Sequence, residues 1–198
     1  DHSVFVDDIS VMAGGPPKQP QPPKEYSCEE LHGVQEAGSN KCFFVPDKTA
    51  TWEGGEEDCA SYGGHLASIT SAGENDVVYG LYKSSGAQKS TGAMFIGTSD
   101  DPKKAPGASE GHWRWADGNN LDFKSWSPGE PNNWGGNQNC GVMWKDDKSW
   151  DDQGCEQIKP FVCAVHTKPT AAPPGPSPPP TEYSCEELHG VQEAGSNK

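Results

Sequence analysis

An α+β fold, two helices with antiparallel sheets and one long loop region, is predicted by a change of hydrophobic period along the chain. Two stretches, residues 51–62 and 71–82, carry apolar residues at helical spacing, and after Gly92 the pattern turns to short apolar runs divided by turn residues. Helices ahead of a set of strands point to α+β rather than to alternating β–α units. A third observation is the cysteine count: six of the seven lie between Cys28 and Cys163, as in disulfide frameworks outside the reducing cytosol.

In chain order, Val4-Phe5-Val6-Asp7-Asp8-Ile9-Ser10-Val11 is β-rich, too short to fold alone, and runs into Gly14-Gly15-Pro16-Pro17. Residues 1–13 therefore read either as the end of a preceding β domain, resembling the carboxyl end of MAM-type jelly-roll domains, or as a disordered tail. Residues 14–24 form a proline-rich linker. In the first helix Trp52, Cys59 and Tyr62 recur on one face; in the second Val77, Val78, Leu81 and Tyr82 do, and Ser71 with Glu74 forms a capping box. Strands are expected at 93–97, 113–115, 140–144 and 160–165. Between them, residues 98–139 are rich in Gly, Asn, Asp and Pro, and a loop of that length is functional or disordered.

Residues 167–181 form a second proline-rich linker expected to favour extended polyproline II. Its Ser177 and following prolines resemble the hydroxylated, glycosylated motif of plant and algal wall proteins. Residues 182–198, EYSCEELHGVQEAGSNK, repeat residues 25–41 without a change, which suggests a tandem array whose next copy starts at Glu182 and leaves Cys185 without its partner.

A formal charge of −14 disfavours nucleic acid and anionic membrane as partners, since both attract clustered Lys and Arg, and suits a divalent cation better. No apolar run spans a bilayer and no signal peptide opens the sequence, which fits a mature product or an excised fragment. There is no Cys-x-x-Cys pair for structural zinc, no Gly-x-Ser-x-Gly nucleophile motif and no Asn-x-Ser/Thr sequon. An enzyme is not expected, and an extracellular location rests on the cysteines.

Four features converge on one family: Phe95-Ile96-Gly97, Glu130-Pro131-Asn132, Trp150-Asp151-Asp152 and the cysteine spacing. Over residues 25–166 the chain resembles a C-type lectin-like domain. Six cysteines alone allow fifteen pairings; the resemblance implies Cys28–Cys42, Cys59–Cys163 and Cys140–Cys155. It also implies a Ca2+ site held by Glu130, Asn132, Gln138, Asp151 and Asp152, with Pro131 cis, in which two adjacent sugar hydroxyls meet the ion. Calcium favours six to eight oxygen ligands in flexible geometry, which carboxylates and amide carbonyls on loops supply. The order Glu-Pro-Asn resembles the family's signature for mannose, glucose, N-acetylglucosamine or fucose. Two positions depart from the family pattern: Gln138 stands where Glu is usual and Asp151 where Asn is usual. Three carboxylates remain, but the hydrogen bonds offered to a sugar change. A family auxiliary calcium site would draw on Asp100, Glu110, Asn133 and Asn139, of which two are amides, and is not expected.

Glu130-Pro131-Asn132 alone would be an ordinary polar turn; its neighbours make it a candidate site. Trp113, Trp115, Trp126, Trp144 and Trp150 read as core, while Trp134, in a glycine-rich loop, is the candidate sugar platform. His65 and His112 show no metal-ligand spacing, and Asp100-Asp101 and Glu56-Glu57-Asp58 read as solvated or helix-start charge. Calcium-dependent binding of glycans or glycoproteins is the expected function. The rival is a structural or adhesive repeat protein of a fibre or matrix that contacts neighbouring copies of itself.

Overall fold

The computed structural model describes residues 24–86 and 92–167. The expectations for 1–13, for nearly all of 14–24 and 167–181, and for the repeat at 182–198 lie outside the described residues.

The described chain runs β1 (Val34–Gln35), β2 (Lys41–Phe44), α1 (Trp52–Ser61), β3 (His65–Leu66), α2 (Ala72–Ser84), β4 (Ala93–Ser99), β5 (Arg114–Trp115), β6 (Cys140–Trp144), β7 (Trp150–Gln153) and β8 (Cys163–His166). One antiparallel sheet has the order β1-β2-β8-β3, and the other β5-β4-β6-β7. The α+β class, the two helices and the antiparallel pairing are as the sequence predicts.

Each helix starts where a side chain accepts an otherwise orphaned N–H. Thr51 Oγ1 accepts from Gly54 N at 3.1 Å before α1, and Ser71 Oγ accepts from Glu74 N at 2.9 Å before α2. The expected capping box is only half made. Glu74 Oε2 accepts from Thr70 N at 2.6 Å instead of from Ser71 N, because its carboxylate also pairs with Lys41 at 2.9 Å and is drawn toward β2.

β4 is central, with all seven residues buried. Phe95 packs with Phe44, Trp52, Leu66 and Phe161, while Met94 and Ile96 pack with Phe43, Val78, Tyr82 and Trp150. Burial on both faces makes the strand read as a continuous apolar run rather than an alternation. Gly97 is required by close approach: a Cβ there would lie 2.2 Å from the Leu66 carbonyl oxygen. The strand expected at 160–165 is corrected. Phe161 forms only an isolated bridge to Phe95, with Phe95 N donating to Pro160 O at 2.9 Å, and the regular strand begins at Cys163, where β2 and β3 become its partners.

Three disulfides, Cys28–Cys42, Cys59–Cys163 and Cys140–Cys155, match the pairing implied by the resemblance. The second joins α1 to β8, and the third closes the end of the β6–β7 hairpin. No helix among the described residues is long and apolar enough to cross a membrane.

Candidate metal centre

β7 positions two of the candidate acids. Its first residue, Trp150, is fully buried; the indole donates to Asn75 Oδ1 of α2 at 2.8 Å and meets Trp115, Phe123 and Trp126 edge to face at 5.6–5.7 Å. Trp150 is thus a pedestal of the core, as expected. The strand then alternates, leaving Asp151 half-buried and burying Asp152 completely. The backbone of 125–127 lies alongside: Trp150 N donates to Ser125 O and Ser127 N to Trp150 O, each at 2.8 Å. Glu130 N then donates to Ser127 O at 3.0 Å, which carries Glu130 toward β7.

The outcome is a carboxylate cluster. Ligand oxygens of Glu130, Asp151 and Asp152 lie within 4.8 Å of one another, and among the described residues these are the only His, Cys, Asp or Glu side chains so grouped. The Glu130–Pro131 bond is cis. Asn132 Nδ2 donates to Glu130 Oε1 at 2.8 Å, while Glu130 Oε2 is closed off from solvent and meets no donor. Burial, and then the Asp151 and Asp152 carboxylates, push the Glu130 carboxyl up to about 7. An acceptor without a donor, facing two further acids, is a site that a divalent cation would satisfy.

Asp152 organises the loop as well. Its two oxygens accept from Asn132 N at 2.9 Å and Asn133 N at 2.7 Å. Gln138 stands at the loop's other end: its Oε1 accepts from Trp134 N at 2.5 Å and its N–H donates to Asn133 Oδ1 at 3.0 Å. Asn133, with φ at 45°, is the joint of this network, a role that its place in an Asn-Asn-Trp-Gly-Gly run could have suggested, because Asn tolerates the left-handed region. Trp134, two residues beyond Asn132, has 78% of its surface exposed.

Asp100 corrects another expectation. It is buried rather than solvated, because Oδ2 accepts from Gly111 N at 2.9 Å beneath the loop, and burial raises its carboxyl above the usual range. Glu110 is turned to Asn133, whose Nδ2 donates to it at 2.5 Å. Asn139 offers its backbone oxygen to Ser99 Oγ at 2.6 Å.

Comparisons with known proteins agree with this architecture. The family model described as "Lectin C-type domain" matches residues 48–165. A C-type lectin of Cerberus rynchops is 34% identical over 144 residues, covering 71% of this chain and 84% of that protein. The cow C-type carbohydrate-recognition domain of CD23, crystallised in the presence of a GlcNAc2Man3 oligosaccharide, superposes with a TM-score of 0.53 at 26% identity, covering 66% of this chain and 91% of that one. A calcium-independent type II antifreeze protein superposes with a TM-score of 0.54 at 30% identity, covering 69% of this chain and 97% of that one.

Proposed function

From the premise that the chain belongs to the C-type lectin family, whose domains bind carbohydrate and are not enzymes, we propose that it is an extracellular lectin that binds mannose-type sugars through Ca2+. The observation that carries this reading is the carboxylate cluster of Glu130, Asp151 and Asp152, in which Glu130 Oε2 has no donor. These acids and the Asn132 and Gln138 side-chain carbonyls are the ligand set. The Gln138 oxygen, though engaged by Trp134 N, keeps a second lone pair, as do both oxygens of Asp152. Calcium, when bound, supplies coordination to two adjacent sugar hydroxyls. Glu130 and Asp151 accept hydrogen bonds from those hydroxyls, Asn132 can also donate, and exposed Trp134 offers an apolar face to the ring. The order Glu130, Pro131, Asn132 favours mannose, glucose, N-acetylglucosamine or fucose over galactose.

The test is retention of the chain on immobilised mannose in calcium and its release by a chelator. Asn132→Asp is expected to abolish retention while leaving the far-UV spectrum unchanged. Retention by that variant, or retention indifferent to chelator, overturns the assignment. A second reading is favoured by the 17-residue repeat shared by residues 25–41 and 182–198: the domain serves as one bead of an adhesive or structural array contacting its own neighbours. Several sugar sites on one chain would raise avidity for a glycan surface, so the two readings part only on calcium and mannose dependence.

A further inference from the structure

Beside the carboxylate cluster lies a cavity of opposite charge. It has a volume of about 450 Å3, and its lining includes His112, Trp113, Arg114, Lys124, Trp126 and Pro131. That volume falls in the range of small-molecule sites, roughly 300–1,000 Å3. Three of the lining residues are basic and none is Asp or Glu, in a chain whose formal charge is −14. Of the acids nearest in sequence, Glu130 belongs to the carboxylate cluster with Asp151 and Asp152, and the others are hydrogen-bonded or exposed. Glu110 bonds to Asn133, Asp117 Oδ1 accepts from Asn119 N at 3.0 Å, and Asp122 is exposed.

The basic groups are only partly used. Arg114 Nη2 donates to Gly118 O at 2.8 Å, which holds the guanidinium in place, yet its Nε is closed off from solvent without an acceptor. A buried donor without a partner is costly unless a ligand meets it. Lys124 is exposed and has no ion pair or hydrogen bond among the described residues. Trp113 and Trp126, edge to face at 5.0 Å, supply an aromatic wall of the kind that packs against apolar surface. A purely apolar ligand would leave the Arg114 Nε and the Lys124 ammonium without an acceptor.

Pro131 lines this cavity and is bonded directly to Glu130, so the cavity begins one residue from the candidate metal centre. We propose that it binds the anionic unit, a carboxylate- or sulfate-bearing sugar, of a glycan whose neutral sugar is held at the Glu130–Asp152 cluster. The proposal rests on the carbohydrate-binding reading above and adds to it a preference for acidic glycans. Arg114 and Lys124 bond the anion, His112 lines the same cavity, and the indoles cover the ring.

The test follows the indole N–H resonances of Trp113 and Trp126 in the full chain during titration with methyl α-mannoside, methyl glucuronide and mannose 6-sulfate, each in calcium and in chelator. Glucuronide or sulfated mannose should shift those resonances in both conditions, with neutral mannoside giving no such shift in chelator; which acidic sugar acts identifies the anion. Lys124→Gln, at an exposed position, should weaken acidic-sugar binding by about tenfold or more, the loss of one charge-assisted hydrogen bond, and leave retention on mannose unchanged. Acidic sugars that leave both indoles unmoved, or that bind Lys124→Gln as well as wild type, overturn the proposal even if mannose retention succeeds. Indole shifts that persist when mannose retention fails uphold the cavity and remove the calcium reading instead.

Discussion

The paired sheets and the loop between β4 and β6 are ordered by different forces. Around the sheets, Phe43 of β2, Phe95 of β4, Trp52 of α1 and Phe161 ahead of β8 are buried, and apolar burial fixes their positions whatever the solution contains. The loop has fewer large buried apolar residues, and acids and amides hold its backbone: Asp100 takes Gly111 N, Asp117 takes Asn119 N, Asp152 takes two successive N–H groups and Gln138 takes Trp134 N. A region held this way responds to protons and cations, which a core of rings does not. One part of the molecule supplies a fixed platform and the other a conditional one.

The largest expected effect lies in the platform. Trp52→Ala removes a buried ring and the indole bond to Ile96 O at 3.0 Å, and should cost about 3–5 kcal/mol in urea unfolding. A loss below about 1 kcal/mol would mean that burial does not dominate there. Next comes the junction of the two regions: replacing Cys140 and Cys155 together by Ser should cost about 2–4 kcal/mol, read as a lower urea midpoint. An unchanged midpoint would show that the loop is anchored without that bridge.

The smallest effect concerns pH and sharpens the contrast. The Glu130 carboxyl is raised from 4.5 to about 7, so the folded chain keeps a proton over that window where the unfolded chain has lost it. In chelator, stability relative to Glu130→Gln should therefore fall as pH rises from about 4.5 to 7, and calcium should restore it. Calcium affinity itself should fall as pH drops through about 7, measured by calorimetry at two pH values. A wild type that gains on Glu130→Gln as pH rises in chelator would contradict the geometry of the cluster.

The same contrast explains what could be read in advance. α1 and α2 were legible because the apolar residues recur at helical spacing and Ser71 caps the second, and β4 and β6 because their apolar runs are dense. β1 and β3, two residues each, have no room for a period of two, and β2 was hidden beside the repeated segment. β7 was masked by its own chemistry: Trp150-Asp151-Asp152-Gln153 reads as a ligand motif, and no polarity pattern predicts a strand that buries an aspartate. The carboxylate cluster was legible through the family motif, whereas the buried Asp100 depends on a contact with Gly111 across the loop that sequence spacing does not encode. The cavity of Arg114 and Lys124 is of the same kind, gathered from β5 and from loop segments on either side of it that no motif links.

The order of the disulfides has a mechanical consequence. The shortest covalent path from Lys24 to Thr167 runs to Cys28, crosses to Cys42, follows β2 and α1 to Cys59 and crosses to Cys163. Everything between Cys59 and Cys163, including Glu130, Asp151, Asp152 and the basic cavity, is a closed covalent loop off that path. Traction on the chain is therefore met first by the β2–β8 pairing, and once that parts the covalent path bypasses the groups that would grip a glycan.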